Sequence, residues 1–516
     1  EILSHLNGNT GDNNKIELQN IEVYPVKKRP VLYLRIDDYN LIASLRRNEI
    51  VSFIEPAGYS FGSEQVSASK TSIWPGCGDK PVTQFYPGQK LALPTNDYYS
   101  WHMGLSNIPE AWEHSMPNNL NQKVTGKGIK VGVIDTGISS DQYYLNAGFQ
   151  NNVSGRTLSK INNFSIQVGG NEDNCGHGTR MSALVAAPRT NKLTGVAYES
   201  SLVMYKAVYN VYIGFGLGEV SAVANALTTA AGDPSVKILS MSIGKVTADT
   251  DISIAILQCT LNGKLIFCAA GTNNNSNIAK NIVVFPAILP YTIAVTGLTT
   301  ASPYEECISC HFGSSVDFSL EIEDQYNSSK AAVTLGRESN SINEYNYSNG
   351  ASTATATMAG IAALVWSVNP SMTASQVKNI LKESSELYGS SKHNKFGWGP
   401  VDAAVAVEKA GALPPGYVPP LIASISGPST FNPASTYNFY SSVPNANAPL
   451  IRKWYLNGQF LGTGSFMAIP FIANQTPVSS TITLEVEEVG GDNRTAVATK
   501  SVTFLSGSNN SNVESE

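Results

Sequence analysis

The alternation of apolar and polar positions changes character twice along the chain. Between about residues 96 and 412, short apolar runs such as "IKVGVID" and "VKILSMSIG" alternate with Ala-rich stretches such as "EVSAVANALTTAA". Strands that are apolar on both faces and that alternate with helices are typical of a parallel sheet covered on both sides. The pattern predicts an α/β domain over residues 96–413, built on a doubly wound parallel sheet.

The residues before this domain predict a small α+β unit. Within residues 1–58, the runs "IEVYPV", "PVLYLRID" and "VSFIEP" indicate strands. The segment "DYNLIASLRRNE" places Leu41, Ile42 and Leu45 at helical spacing. Residues 59–95 are rich in Ser, Gly and Pro, which is the composition of a linker.

The residues after the α/β domain follow a third pattern. Proline-rich residues 414–420 indicate a hinge. Short alternating strands and turn residues over 421–506 predict a β-sandwich of immunoglobulin-like type, with Trp454 in its core. The polar residues 507–516 are expected to form a disordered tail.

The composition narrows the class of protein. The formal net charge is -6, which argues against nucleic acid as the main partner. No continuous apolar run reaches the ~18 residues that a membrane span requires, so no membrane span is predicted. The six cysteines allow up to three disulfides in an exported protein, with the pairing left open. The "CISC" at 307–310 could instead bind a metal or do redox chemistry, although the second such pair that zinc would need is absent from the sequence.

Three polar residues stand at the ends of predicted elements. Asp135 ends the strand "VGVID", His177 lies between two glycines directly before a helix, and Ser352 begins an apolar helix. A serine hydroxyl becomes a nucleophile when a histidine takes its proton, and a buried carboxylate orients that histidine. Each residue alone could be a strand-end or helix cap. The three together indicate nucleophilic catalysis at the carboxyl edge of the sheet.

The segments around these residues resemble the motifs of the subtilases, the subtilisin-like serine proteases. "VIDTGI", "GHGT" and "GASTATATMAG" are similar to the aspartate, histidine and serine motifs of the family, and the likeness extends over about residues 100–410. The resemblance implies a subtilisin-like fold and a serine endopeptidase that works through an acyl-enzyme. It carries Asp135, His177 and Ser352 over as the catalytic triad.

One departure from the family affects the oxyanion site. The family has an asparagine after "AAG", and its amide donates to the oxyanion, whereas this chain has "CAAGTNNN". Thr272 is the direct match and Asn273 follows it. We expect Asn273 to serve through a small loop adjustment, with the Thr272 hydroxyl as the alternative.

The resemblance also implies a cleft that binds an extended peptide between two strand edges. No acidic residue appears in these stretches, so a hydrophobic side chain is predicted next to the scissile bond. The residues predicted to bind substrate are Ser242, Ile243, Gly244, Gly216, Leu217, Gly218, Ala270, Gly271 and Val284.

The N-terminal unit resembles the inhibitor-like propeptide of the family. The resemblance implies a zymogen whose own propeptide is an intramolecular inhibitor, and we expect autocleavage within residues 57–99. Similar chains with a C-terminal sandwich are exported bacterial proteases, so export to the cell surface or the medium is expected. No cofactor is required. Calcium, which often stabilises the family, would find oxygen ligands in "SSDQ" (139–142) and "NEDN" (171–174), but no metal site is assigned.

Two other functions compete with a secreted endopeptidase. The changed "AAGT" and serine motifs would suit a catalytically impaired scaffold with an adhesive sandwich. A subtilase that transfers acyl groups to amines is the third hypothesis, and nothing in the sequence indicates that water is kept from the cleft. The three intact triad residues favour the endopeptidase.

Overall fold

The computed structural model describes residues 22–25, 32–35 and 76–505, with short gaps inside the last range. The gaps are residues 152–154, 166–169, 215–217, 274–279, 328, 390, 415–419, 432–435, 444–445, 447–449, 471–476 and 490–493. The predicted helix and third strand of the N-terminal unit, the first half of the predicted linker, most of the hinge and the tail lie outside the described residues.

The described residues form the following strands and helices. The strands are β1 (Glu22–Pro25), β2 (Leu32–Arg35), β3 (Lys90–Ala92), β4 (Tyr98–Ser100), β5 (Ser115–Met116), β6 (Asn119–Lys123), β7 (Lys130–Asp135), β8 (Leu158–Asn162), β9 (Ser201–Lys206), β10 (Val236–Met241), β11 (Leu265–Ala269), β12 (Ile293–Thr299), β13 (Phe318–Glu323), β14 (Ala332–Leu335), β15 (Tyr345–Ser348), β16 (Ser424–Ser426), β17 (Thr430–Phe431), β18 (Thr436–Ser442), β19 (Leu450–Leu456), β20 (Gln459–Thr463), β21 (Phe466–Pro470), β22 (Val478–Glu488) and β23 (Thr495–Phe504). The helices are α1 (His102–Leu105), α2 (Ile108–Glu113), α3 (Ala147–Asn151), α4 (His177–Ala186), α5 (Glu219–Gly232), α6 (Thr250–Leu261), α7 (Gly350–Val368), α8 (Ala374–Glu383) and α9 (Ala403–Ala412), with a 3₁₀ turn at Tyr143–Leu145.

A parallel sheet of seven strands organises the α/β domain. Its strand order is β13-β12-β11-β10-β7-β9-β8, and every neighbouring pair runs parallel. The chain builds β8 and β9 on one side of β7 and then crosses to build β10 to β13 on the other. The order therefore reverses between β7 and β10, where open α/β sheets place their ligands. The predicted α/β fold is confirmed.

Both faces of this sheet are covered by hydrophobic side chains. Val131 and Val133 of β7 belong to the cluster on one face, together with much of α7. Ile134 belongs to the cluster on the other face, together with residues of α5 and α6. A strand buried on both faces must be apolar at successive positions, which explains the unbroken run in "VGVI".

Helix α7 is the central helix of the first cluster. Every residue from Gly350 to Val368 is buried except Ser352. Among the described helices it alone is long and apolar enough to cross a membrane, but 94% of its apolar stretch is buried inside the protein. It is therefore a core helix, and its Ala, Thr and Gly residues allow close packing against α4 and the sheet.

The outer segments are rich in strands. β1 and β2 pair antiparallel, with Glu22 opposite Arg35, where the sequence predicts two strands. At the C-terminal end, a three-stranded sheet (β16-β18-β21) and a five-stranded sheet (β17-β23-β22-β19-β20) share one hydrophobic cluster. Trp454 is fully buried in that cluster, and its indole N–H donates to the Gly464 carbonyl at 2.8 Å.

Candidate active site

Asp135 and His177 form a buried pair at the carboxyl edge of the sheet. Asp135 is the last residue of β7 and is completely buried, and His177 is 5% exposed and is the first residue of α4. The Nδ1–H of His177 donates to the carboxylate, at 2.8 Å from Oδ1 and 3.0 Å from Oδ2 of Asp135. The main-chain N–H of Thr136 donates to the same carboxylate at 2.8 Å. The Nε2 atom of the imidazole is thereby left as the proton acceptor.

Each of the two glycines that flank His177 is required for a different structural reason. Gly176 caps α4 with φ +81°, a conformation that side chains disfavour. A Cβ atom at Gly178 would overlap the main chain of Gly137, which follows the aspartate strand. The "GHG" sequence therefore lets the start of α4 lie directly against the loop after Asp135.

Asp173 fixes the loop that leads to His177. Its carboxylate accepts hydrogen bonds from the Thr136 hydroxyl (2.8 Å) and from the N–H groups of Cys175 (3.1 Å) and Gly176 (2.7 Å). It also accepts from the N–H (2.8 Å) and the hydroxyl (2.6 Å) of Thr179. This role was not predicted from the sequence, in which Asp173 stands out only as part of a loop with oxygen ligands. Asp173 lies three residues before the N-cap Gly176, so the usual N-cap rule does not predict its bond to the Thr179 N–H in the first turn.

Ser352 lies in the first turn of α7 and is the one partly exposed residue of that helix. Its hydroxyl donates to the main-chain carbonyl of Ser242 at 3.3 Å, and the Ser242 hydroxyl donates to the Ser352 carbonyl at 3.0 Å. Ser240 of β10 pairs with Val133 of β7, so Ser242 and Asp135, each two residues further on, lie at the same edge of neighbouring strands. The structure thus brings Ser352 to the edge that holds the Asp135–His177 pair, with its hydroxyl bonded to Ser242 rather than to the imidazole.

Of the two residues predicted to donate to the oxyanion, Thr272 contacts the serine helix. Its Oγ1 accepts a hydrogen bond from the N–H of Ala351 at 3.1 Å. A Cβ atom at Gly350 would lie 2.7 Å from the same oxygen, so this glycine permits the close approach. The main chain of Asn273 bonds a different segment: its N–H donates to the Ser309 carbonyl at 2.8 Å.

Several residues predicted to bind substrate lie together beside this edge. The N–H of Val284 donates to the Ala270 carbonyl at 2.9 Å. Its side chain lies 2.9 Å from where a Cβ of Gly244 would be. Ser242 and Ile243 are both 2% exposed and lead from β10 to Gly244. Gly216 and Leu217 lie outside the described residues, and Gly218 is the N-cap of α5.

Residues 211–213 lie against Gly244, a contact that was not predicted from the sequence. The N–H of Gly244 donates to the Val211 carbonyl at 3.1 Å, and its carbonyl accepts from the N–H of Ile213 at 2.9 Å. Tyr212 and Gly244 thus form a parallel bridge. Residues 211–213 carry no motif that predicts this pairing.

Two disulfides join parts of the site. Cys77 is bonded to Cys175, two residues before His177, and Cys307 is bonded to Cys310. Cys259 and Cys268 are unpaired and buried, and burial raises the pKa of the Cys259 thiol to about 12. The "CISC" segment therefore forms a disulfide and not a metal site, and the six cysteines form two of the three possible disulfides.

The first disulfide is part of a wider attachment of residues 76–80. The N–H of Gly78 donates to the Cys175 carbonyl at 2.9 Å. The buried guanidinium of Arg180 on α4 donates to the carbonyls of Gly76 (2.8 Å) and Gly78 (2.9 Å). Arg337 makes a bidentate ion pair with Asp79.

Comparison with known proteins identifies the family of the chain. The model of the Subtilase family matches residues 126–399, just over half of the chain. The chain therefore belongs to the subtilase family and is a serine endopeptidase.

Its relatives include several subtilisins. Subtilisin BL of Lederbergia lenta is 29% identical over 294 residues, which are 56% of this chain and 94% of that protein. Subtilisin DY of Bacillus licheniformis is 30% identical over 285 residues, 55% of this chain and 93% of that protein. Among solved structures, a protease of Pseudoalteromonas arctica is 25% identical and covers 59% of this chain and 94% of its own, with a TM-score of 0.46.

Proposed function

We propose that the chain hydrolyses peptide bonds with Ser352 as nucleophile, His177 as general base and acid, and Asp135 as the carboxylate that orients the imidazole. The observation that carries this proposal is the buried hydrogen bond of 2.8 Å between His177 Nδ1 and Asp135, at the sheet edge where the serine helix begins. A buried carboxylate on Nδ1 fixes the tautomer and stabilises the imidazolium that forms.

The chemistry follows from these positions. The Ser352 hydroxyl leaves the Ser242 carbonyl, gives its proton to His177 Nε2 and attacks the substrate carbonyl carbon. His177 then gives that proton to the departing amine, and an ester to Ser352 remains. Water then gives a proton to His177 and attacks the ester, and His177 returns that proton to Ser352 Oγ as the acyl–Oγ bond breaks and the acid is released.

We assign the side-chain oxyanion donor to Thr272 rather than to Asn273. The Thr272 hydroxyl accepts from the Ala351 N–H and keeps its own proton to donate. The first N–H groups of α7 have no partner within the helix, and the positive end of its dipole lies at the same place. A hydroxyl beside these groups supports the negative oxygen that develops in the transition state.

The proposal includes a zymogen that is exported. The N-terminal unit is the propeptide, and we place the cleavage between residues 57 and 75. Residues 76–80 are held to the α/β domain by Cys77–Cys175, Arg180 and Arg337, so a cut after Cys77 would leave the propeptide covalently attached. The two disulfides and the subtilisin relatives support an oxidising, extracellular compartment.

Other parts of the proposal concern the substrate, the metal and the sandwich. A hydrophobic residue is preferred next to the scissile bond, because Ala270, Gly244 and Val284 lie together.

The calcium that the family often binds is not placed on Asp173, whose oxygens accept five hydrogen bonds from the protein. The C-terminal sandwich is of immunoglobulin-like type and serves as a binding module or a spacer.

A fluorophosphonate probe tests the triad directly. We expect one adduct per chain at Ser352 in the mature protein and none in the Ser352→Ala variant, located by mass spectrometry of the labelled peptide. The N-terminus of the mature protein should begin between residues 58 and 76, and Ser352→Ala should stay uncut. Release of the propeptide in denaturing gels only after reduction would contradict the proposed cleavage region.

The impaired scaffold stays the second candidate, because one observation favours it. The Ser352 hydroxyl is bonded to the Ser242 carbonyl instead of the imidazole. Absence of labelling after removal of the propeptide, in a protein that still unfolds cooperatively, would favour the scaffold.

A further inference from the structure

We infer that the disulfide-closed segment Cys307–His311 is a positioning element for the reaction: it holds the strand Gly271–Asn273 so that the Thr272 hydroxyl stays at the start of the serine helix. The inference rests on the proposed function, because it concerns how the oxyanion donor is placed. We call Cys307–His311 the disulfide hairpin.

The disulfide hairpin is bonded to each residue of the strand in turn. The N–H of His311 donates to the Gly271 carbonyl at 3.0 Å. Thr272 forms an antiparallel bridge with Cys310. The N–H of Asn273 donates to the Ser309 carbonyl at 2.8 Å. The strand therefore takes its position from the hairpin.

The hairpin is itself rigidly placed. Cys307 and Cys310 are completely buried, and their disulfide closes the turn between them. The N–H of Cys307 donates to the Gly297 carbonyl at 3.1 Å, and the Thr296 hydroxyl donates to the His311 carbonyl. Both contacts are to β12, a strand of the central sheet, so the hairpin transmits the position of the sheet to Thr272.

The imidazole of His311 adds a side-chain contact to this arrangement. It is 5% exposed, and its Nδ1–H donates to the Ile282 carbonyl at 2.9 Å. Gly271 has φ +130°, and a Cβ there would lie 2.5 Å from the His311 Nδ1 atom. The ring therefore lies flush against the strand one residue before Thr272, and only glycine allows this approach.

The middle residue of this strand contacts the start of the serine helix. Thr272 accepts the Ala351 hydrogen bond at 3.1 Å, and Ala351 precedes Ser352. An oxyanion donor stabilises the transition state only when its distance is right, and a displacement of about 1 Å can cost 10²-fold in rate. Thr272 is exposed and has a short side chain, so the position of its hydroxyl depends on the position of its main chain, which the disulfide hairpin fixes.

A double-mutant cycle in kcat tests the inference on the mature enzyme. Thr272→Val should lower kcat about 10²-fold with little change in KM, while Thr272→Ser, which keeps the hydroxyl, should stay within about threefold. The disulfide-free variant Cys307→Ala with Cys310→Ala should lower kcat 10- to 100-fold, again with little change in KM. Because the hairpin acts through Thr272, the two disulfide substitutions should cost less than about threefold in the Thr272→Val background.

Two controls keep the test decisive if the disulfide-free variant does not fold. His311→Asn retains a donor near the position of Nδ1, whereas His311→Leu removes it, so kcat should fall only for the leucine variant and only when Thr272 is present. Cys259→Ala removes a buried, unpaired cysteine in the other hydrophobic cluster and should leave kcat unchanged.

The outcomes separate this inference from the proposed function. Equal loss of kcat by the hairpin substitutions in both backgrounds would overturn the positioning role, and so would an unchanged kcat in Thr272→Val. Failure of the proposed function is a different result: the wild-type enzyme itself would show neither turnover nor fluorophosphonate labelling.

Discussion

The two halves of the candidate site are built in different ways. The half that holds His177 is fixed by hydrogen bonds between buried side chains, with Asp135 on the ring and Asp173 on the loop before it. The half that holds Ser352 is fixed by hydrogen bonds between hydroxyl side chains and main-chain groups, with Ser242 on one side and Thr272 on the other. His177 is thus held by buried carboxylates on β7 and on the loop before α4, while Ser352 is held by the segments that follow β10 and β11.

The largest effect should come from breaking the base half at Asp135. Asp135→Asn puts an amide where the carboxylate accepts from Nδ1–H. The imidazole then no longer favours the tautomer in which Nε2 is the proton acceptor, so kcat should fall about 10⁴-fold. Steady-state kinetics on a peptide amide substrate measure this loss. The exposed Asp141→Asn, in the loop after β7, serves as the matched control and should retain full activity. A loss below tenfold for Asp135→Asn would remove the carboxylate from the mechanism.

The next largest effect should come from Asp173. Asp173→Asn replaces an acceptor oxygen by a donor opposite N–H and O–H groups that are buried, which should lower the free energy of unfolding by roughly 2–4 kcal/mol. Urea denaturation measures the change. The carboxylate of its neighbour Glu172 accepts a hydrogen bond from the Ser140 N–H alone among the described groups, so Glu172→Gln should change the stability by less than about 0.5 kcal/mol. Equal effects of the two substitutions would contradict the role of Asp173.

The nucleophile half should respond to Gly271→Ala. The new methyl group would collide with the His311 ring and move the Thr272 strand, so kcat should fall roughly tenfold while KM changes little. Gly263→Ala is the control, because Gly263 also has a positive φ (+69°) but open space around it. That variant should lose about 1 kcal/mol of stability and keep its kcat. A similar drop in kcat in both variants would point to backbone strain instead of the displaced strand.

The smallest effect concerns His102, which lies beside the serine helix. Its Nδ1 is 2.8 Å from the Ser100 hydroxyl and its Nε2 is 3.3 Å from the hydroxyl of Thr357 on α7. Burial lowers the pKa of His102 to about 3, below the ordinary value of 6.5. The unfolded chain therefore takes up a proton first, and the stability is present above pH 6.5 and is lost as the pH falls towards 3.

The loss should be about 1 kcal/mol between pH 6.5 and pH 5.5. Urea denaturation across this range should show a shallower decline for His102→Gln than for the wild type. Parallel declines would mean that other groups control the acid stability.

The sequence predicted most of the fold and the elements on which the three proposed triad residues lie, because those features depend on local pattern. The apolar run before Asp135, the glycines around His177 and the small residues after Ser352 each report the element in which they lie. The parallel pairing followed from the alternation of strands and helices, whereas the position of the reversal in strand order, between β7 and β10, came from the structure.

The remaining features depend on which distant segments meet, and a single sequence does not state this. The pairing of Cys77 with Cys175 joins residues 98 positions apart. Thr272 and Asn273 are chemically plausible donors at adjacent positions, and only the hydrogen bond to Ala351 distinguishes them. The bridge between Tyr212 and Gly244 consists of main-chain groups, which any residue type can supply.

That last bridge bears on how the cleft recognises an incoming polypeptide. Both main-chain groups of Gly244 are already hydrogen-bonded to Val211 and Ile213, so a ligand strand can pair with Gly244 only after these two hydrogen bonds break. Every ligand that pairs with Gly244 must therefore supply the free energy of breaking these two hydrogen bonds, which lowers its affinity. Because this cost is the same for every ligand, it lowers all affinities alike, and selectivity has to come from the side-chain contacts in which ligands differ.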